Sequence, residues 1–304
     1  MQVILLLGAS GCTGSYLLET LLNDTELPVI AWVRDSGRLR ISAHSRLQVW
    51  TGGLEALDLY RRELSQVTAL IHAATVWGGD DTFMINLRQS WRLLQMLDPA
   101  VCRQIHLFST ASLLDSQHRA WPQAVRLGTD YIRSKAALHQ RLGELNPQMA
   151  LSVYYPTVIL GGDARHPFTA VSASLPQLPQ WLGWARWLSA RGSMHLIHAR
   201  DIARIVVHRL QQDLPPEHLV LGNPALTINH LIEILLAVHQ LPRPLLRLPL
   251  EPLLPALVQI LHPWMSSWDR FSLAQREMVY QSVNARTYGL PEDLMSLEEM
   301  LRWS

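Results

Sequence analysis

A chain of 304 residues, 48% of them apolar and 17% charged, has ample material for a buried core. That excludes a disordered or fibrous protein and leaves one large domain or a domain with a subdomain. Its 26 basic against 25 acidic side chains give a net charge of +1, so no global field steers it toward nucleic acid.

The expected elements alternate from the start. Val3 to Leu7 reads as a strand; it lacks the basic leader of a signal sequence and runs straight into Gly8-Ala-Ser-Gly-Cys-Thr-Gly14. A helix is expected from Gly14 to Asn23, then strands at Val29 to Val33 and Leu47 to Trp50 and a helix from Leu54 to Ser65. The pattern continues with a strand at Ala69 to Ala73, a helix near Met84 to Leu97, a strand at Gln104 to Ser109, a helix near Thr129 to Leu145 and a strand at Leu151 to Tyr155. Strand and helix alternating at this spacing implies a doubly wound α/β fold, because parallel neighbours need crossover helices.

After Gly161 the chain turns rich in proline and tryptophan. It returns to the pattern at Met194 to Ala199, with a helix from Asp201 to Gln211 and a strand at His218 to Leu221. The rest, from Thr227, reads as helical and broken by prolines 242, 244, 249, 252, 255 and 263. The domain reading is a dinucleotide-binding domain, 1–163 with a returning segment 194–222, and a smaller, mostly helical substrate subdomain from 164–193 and 223–304. No apolar run reaches the roughly 18 residues of a transmembrane helix. Two cysteines, Cys12 and Cys102, exclude a disulfide framework and fit a reducing, cytoplasmic setting.

The glycine segment lies between the first strand and the first helix, the context a dinucleotide loop requires. Glycines let the backbone turn tightly against a pyrophosphate whose charge is stabilised by free N–H groups at the helix N-terminus. Of the 26 basic residues a single one is lysine, Lys135, and it stands four residues after Tyr131, on the same face of a helix. An ammonium there stabilises phenolate and is expected to move the phenol from its reference pKa of about 10 toward the working range. The strand ending His106-Leu-Phe-Ser-Thr-Ala-Ser112 offers three hydroxyls beside this pair.

The G-x-x-G-x-x-G spacing of Gly8, Gly11 and Gly14, with Tyr131-Ile-Arg-Ser-Lys135 after the fifth strand, resembles the short-chain dehydrogenase/reductase superfamily. His72-Ala-Ala-Thr75, Asn86, Pro156-Thr-Val-Ile-Leu-Gly161, His198-Ala-Arg-Asp201, and Tyr288-Gly-Leu-Pro291 with Ser296 to Glu299 and Trp303 resemble its extended, epimerase/dehydratase-like branch. The resemblance implies Thr110 (Ser112 as alternative), Tyr131 and Lys135 as catalytic residues. It implies a cofactor site built from Gly8, Ser10, Gly11, Cys12, Thr13, Gly14, Leu54, Ala73, Ala74, Thr75, Tyr131, Lys135, Pro156 and Val158, with no metal. Three departures count against sugar-nucleotide substrates: Tyr155 where an arginine is common, Leu114-Asp115 for a Tyr-Gly, and Gly52-Gly53-Leu54 for a Gly-Asp-Leu.

The second strand ends Ala31-Trp32-Val33-Arg34, and a guanidinium there suits a 2′-phosphate, so NADP is expected over NAD. The expected activity is hydride transfer to or from a carbonyl or hydroxyl of a rather apolar small molecule. Its alternatives are a sugar-nucleotide epimerase or dehydratase and a non-catalytic dinucleotide-binding sensor or assembly factor. The apolar expectation rests on Arg165 to Gly192 and Asn223 to Ser304, with three indoles in Pro179 to Trp187 and two more in Leu245 to Trp268. A second reading of these stretches is a subdomain core, a homodimer contact or a membrane-surface contact. Trp181, Trp184 and Trp187, at helical spacing, read as a packed face, and His195 and His198 as ordinary packing or surface histidines.

Overall fold

A computed structural model describes residues 2–41, 43–275 and 277–291. Six strands follow one another as β1 (Ile4–Leu7), β2 (Val29–Val33), β3 (Leu47–Thr51), β4 (Ala69–His72), β5 (Gln104–Phe108) and β6 (Ala150–Pro156). With His218–Leu221 they form a seven-stranded sheet in the order His218–Leu221, β6, β5, β4, β1, β2, β3. All pairs are parallel.

The continuous apolar runs have a direct cause in this topology. Alternate residues of a strand face opposite sides, and crossover helices cover both sides of a parallel sheet, so both faces of most strands are apolar. His72, Gln104, His106 and Ser152 are buried polar exceptions. In β1, Leu5 and Leu7 enter one core while Ile4 and Leu6 enter the other. The second core also takes Leu17 and Leu21 of the helix Cys12–Asp24 and Ile202 and Val206 of the returning helix Ala199–Gln211.

The strand order reverses between β1 and β4, which opens a crevice at the carboxyl ends of the strands. Three expected helices differ in detail. The stretch after Gly53 is a tight 3₁₀ run, Leu54–Tyr60, followed by one α turn at Arg61–Leu64. Met84–Gln89 forms a wide π turn that continues into Ser90–Met96. The returning helix begins at Ala199, two residues before the expected start, because His198 supplies its cap by accepting the Arg200 N–H. Ser296 to Glu299 and Trp303 lie outside the described residues.

A small cluster of Leu175, Leu182, Leu235 and Leu236 forms a separate core for the later segments. No helix among the described residues is long and apolar enough to cross a membrane.

Candidate active site

The first turn after β1 is dictated by backbone contact. Gly8 has φ +86°, and a Cβ on it would lie 2.7 Å from the Ala74 nitrogen. One on Gly14 would lie 2.0 Å from the Gly8 carbonyl oxygen. Any side chain at these two positions forces the loop away from β4 and from the helix. Gly11 caps the helix Cys12–Asp24 without a side-chain bond, so its first N–H groups keep their capacity for an anion. Burial pushes the Cys12 thiol up to about 12, which leaves it a packing group and not a nucleophile.

At the end of β2 the two charges of Arg34-Asp35 part company. The Asp35 carboxylate accepts the Gly37 N–H at 2.9 Å in its own turn, whereas Arg34 and Arg38 line the crevice. Trp32 is held by its indole N–H, which donates to the Gly52 carbonyl at 3.0 Å.

The catalytic candidates converge from two elements. Thr110, just after β5, accepts the Ser112 N–H at 3.3 Å, and it lines the same cavity as Tyr131. Tyr131 and Lys135 share the helix Asp130–Arg141, whose start is capped by Thr129. Lys135 is 3% exposed, and its Nζ donates to the Phe108 carbonyl at 2.9 Å. Burial lowers the lysine from 10.5 to about 8. It pushes the Tyr131 phenol up to about 12, against a smaller downward pull from Thr110. The expected lowering of the phenol is therefore corrected: in the protein alone, loss of water around the phenolate outweighs any stabilisation by the ammonium.

All sixteen residues assigned to the site from sequence line one cavity of about 920 Å³. Others in it were not anticipated. Trp77 stacks on Tyr131 with ring centroids 4.3 Å apart, although 70% of its surface is exposed. Its segment is held by Asn86, which accepts the Val76 N–H, donates to the Val76 carbonyl and reaches Ser134 Oγ on the helix of Tyr131 and Lys135 at 3.1 Å. Tyr280 donates from its hydroxyl toward the Ala111 and Leu114 carbonyls, and its own N–H meets His195 Nε2 at 3.0 Å. The Ser109 hydroxyl is buried in the same cavity as the catalytic candidates without a hydrogen-bond partner. Asn86 carried a weak signal as a motif position; Trp77 and Tyr280 carried none beyond being aromatic.

The indoles depart from both expectations made for them. Trp181, Trp184 and Trp187 neither line the cavity nor form a packed face; all three are exposed. In the helix Leu178–Ala185 it is Leu182 that enters the small core, which turns Trp181 and Trp184 toward solvent. Phe168, Thr169, Ala170, Val171, Met278 and Tyr280 are the contribution of these stretches to the cavity wall among the described residues. Of the two later tryptophans, Trp268 is buried near Phe271, and Trp264 is exposed.

A parallel, doubly wound sheet with a glycine loop at its switch point and a Tyr-x-x-x-Lys helix over its carboxyl edge is the architecture of the extended short-chain dehydrogenases/reductases. The model of the NAD dependent epimerase/dehydratase family matches residues 4–222, and the chain belongs to that family of enzymes. Among solved structures, the enzyme WbmH of Bordetella bronchiseptica in complex with NAD+ aligns at 15% identity, over 100% of this chain and 97% of that one, with TM-score 0.70. A UDP-N-acetylglucosamine 4-epimerase from Methanobrevibacter ruminantium, in complex with UDP-N-acetylmuramic acid, aligns at 16% identity over 99% and 96%, with TM-score 0.70. The DesIV double mutant, a dTDP-glucose 4,6-dehydratase from Streptomyces venezuelae with NAD bound, aligns at 17% over 100% and 96%, with TM-score 0.67. At such identities the likeness shows the fold. No curated protein matches the sequence.

Proposed function

We propose that the protein is an NADP-dependent oxidoreductase acting on a carbonyl or hydroxyl of a small, rather apolar molecule. The observation that carries this reading is the single cavity shared by the glycine loop, Arg34 and the Thr110, Tyr131 and Lys135 set. The cavity fits a dinucleotide: Gly8 and Gly14 let the loop pack tightly on β4 and on the helix start, the loop and the first residues of that helix line the cavity, and the volume lies at the upper end of the roughly 300–1,000 Å³ of ligand sites.

In this reading residues 1–163 and 194–222 bind the dinucleotide, and 164–193 with 223–304 bind the substrate. Gly8, Ser10, Gly11, Cys12, Thr13 and Gly14 hold the pyrophosphate. Arg34, joined by Arg38, holds the 2′-phosphate, and Leu54, Ala73, Ala74 and Thr75 line the path between. Pro156 and Val158 wall the nicotinamide end. When bound, the dinucleotide gives or takes the hydride. Tyr131 moves the matching proton at the substrate oxygen, and Thr110 orients that oxygen. Lys135 supplies the positive charge that stabilises phenolate and donates to ribose hydroxyls.

The apolar substrate is supported by the charge inventory of the cavity. Among the described residues, its arginine and lysine lining consists of Arg34, Arg38 and Lys135, with no Asp or Glu. Two of these are assigned to the dinucleotide and the third to catalysis, which leaves no arginine for a second pyrophosphate. Val76, Trp77, Phe168 and Met278 line the cavity beside uncharged hydroxyl residues such as Ser109, Thr157 and Thr169.

A second reading, a sugar-nucleotide epimerase or dehydratase that recycles NAD, is favoured by the ligands of the structural neighbours. Titration with both dinucleotides, followed by thermal shifts with candidate substrates, separates the two. The proposal expects tighter binding of NADPH than NADH, with Arg34→Ala erasing the difference, and stabilisation by apolar ketones or alcohols. Equal affinities, together with stabilisation by uridine or thymidine diphosphate sugars alone, would establish the second reading.

A further inference from the structure

We propose that the outer face of the C-terminal subdomain docks on an anionic lipid bilayer as a peripheral contact. The face is built from two stretches, 178–188 and 245–264, joined by hydrogen bonds. The Leu248 N–H donates to the Trp187 carbonyl at 2.8 Å and that of Leu250 to the Ser189 carbonyl at 2.8 Å. The helix Leu254–Leu261 follows at once, its first N–H bonded to the Leu250 carbonyl at 3.0 Å. Trp187 therefore adjoins Leu248, with Trp184 and Trp181 on the turns before it.

The composition and exposure of this face do not suit water. Trp181, Trp184 and Trp264 are 71%, 80% and 79% exposed, and Leu245 and Leu246 stand fully or largely in solvent. Gln259 is the sole polar side chain of the helix Leu254–Leu261, yet Pro255, Ala256, Ile260 and Leu261 are all exposed. A helix that is apolar all round is normally buried. An eight-residue helix is about 12 Å long, far short of a bilayer core of about 30 Å, so its place is along the membrane surface. Tryptophan concentrates at that boundary because the indole pairs an apolar body with one N–H donor.

Charge selects the occupant. Within 178–191 and 241–264 there are four arginines, Arg186, Arg191, Arg243 and Arg247, against one glutamate, Glu251. Arg247 is ion-paired with Glu233 at 3.4 Å, which leaves Arg186, Arg191 and Arg243 against Glu251, while the whole chain carries only +1. Arginines around an apolar face complement anionic headgroups. A second copy of the chain across a twofold axis would instead bring two net-positive faces together. The tryptophans and leucines of this face do not line the active-site cavity, so the inference stands apart from the proposed chemistry.

Co-sedimentation of the full chain with vesicles tests it, using phosphatidylcholine alone and phosphatidylcholine mixed with phosphatidylglycerol. The expected result is binding to the mixed vesicles, weaker binding to the neutral ones, and a blue shift of tryptophan emission on binding. Salt and Arg243→Glu should each weaken binding to the mixed vesicles. The triple substitution W181A/W184A/W264A should reduce vesicle affinity by about tenfold or more with the thermal midpoint unchanged. Absence of binding to either vesicle would overturn the proposal. So would a stable dimer by light scattering that the triple substitution dissociates while vesicles bind neither form.

Discussion

In β1, four consecutive apolar residues, Ile4 to Leu7, are all but sealed from water, because each side of the sheet has a helix layer to receive them. In the helix Leu178–Ala185 the larger indoles Trp181 and Trp184 stand in solvent, and only Leu182 has a core to enter. The difference lies in the partner surface and not in the residues. A parallel sheet provides two apolar layers for every strand, whereas the small core of Leu175, Leu182, Leu235 and Leu236 has room for one stripe per helix. Apolar composition thus marks burial in one region and an outward-facing surface in the other, with the active-site cavity between the two regimes.

The largest expected effect lies in that cavity. Tyr131→Phe should lower turnover by about 10²–10⁴ while leaving dinucleotide affinity intact, since only the transferred proton is lost. Normal turnover by the variant would remove Tyr131 from the chemistry. Next in size is Leu182→Ala, which should cost about 2–5 kcal/mol in chemical denaturation if the small core is the true anchor of its helix.

Lys135→Met should lower both turnover and dinucleotide affinity, and it carries a signature in stability against pH. The folded lysine titrates at about 8 instead of 10.5, so between these values the unfolded chain binds more protons and stability rises with pH. Across that window the protein should gain about 3 kcal/mol from this one group, and the Met variant should lack that gain. Identical pH–stability curves for the two would show that the ammonium is not buried as described. The smallest effect is expected for Trp184→Ala, within about 0.5 kcal/mol despite the size of the deletion. A loss comparable to that of Leu182→Ala would mean that the indole is packed and that the contrast between the two regions fails.

Much of the site was legible because its signals are local. The glycine spacing encodes a turn whose contacts lie within a few residues and the adjoining strand. Tyr131 and Lys135 are brought together by helix geometry alone, and both stand in the cavity with Thr110. Trp77 on Tyr131, and Tyr280 reaching the Ala111 carbonyl across 169 positions, are meetings of distant segments that no periodicity announces. The direction of the phenol's shift was misjudged for a related reason. Proximity of a lysine can be read from spacing, but the cost of removing phenolate from water depends on everything that surrounds it.

The sequence by itself determined the alternation of apolar runs and helical segments, hence the parallel sheet, the loop at its switch point and the Tyr-x-x-x-Lys face. These follow from strand and helix periods and from steric limits on the backbone, which act over a few residues. The tertiary structure alone decided which apolar side chains find a partner and how far burial displaces the titration of Tyr131 and Lys135. Those outcomes depend on solvent exclusion, which is a property of the assembled surfaces and of no single segment.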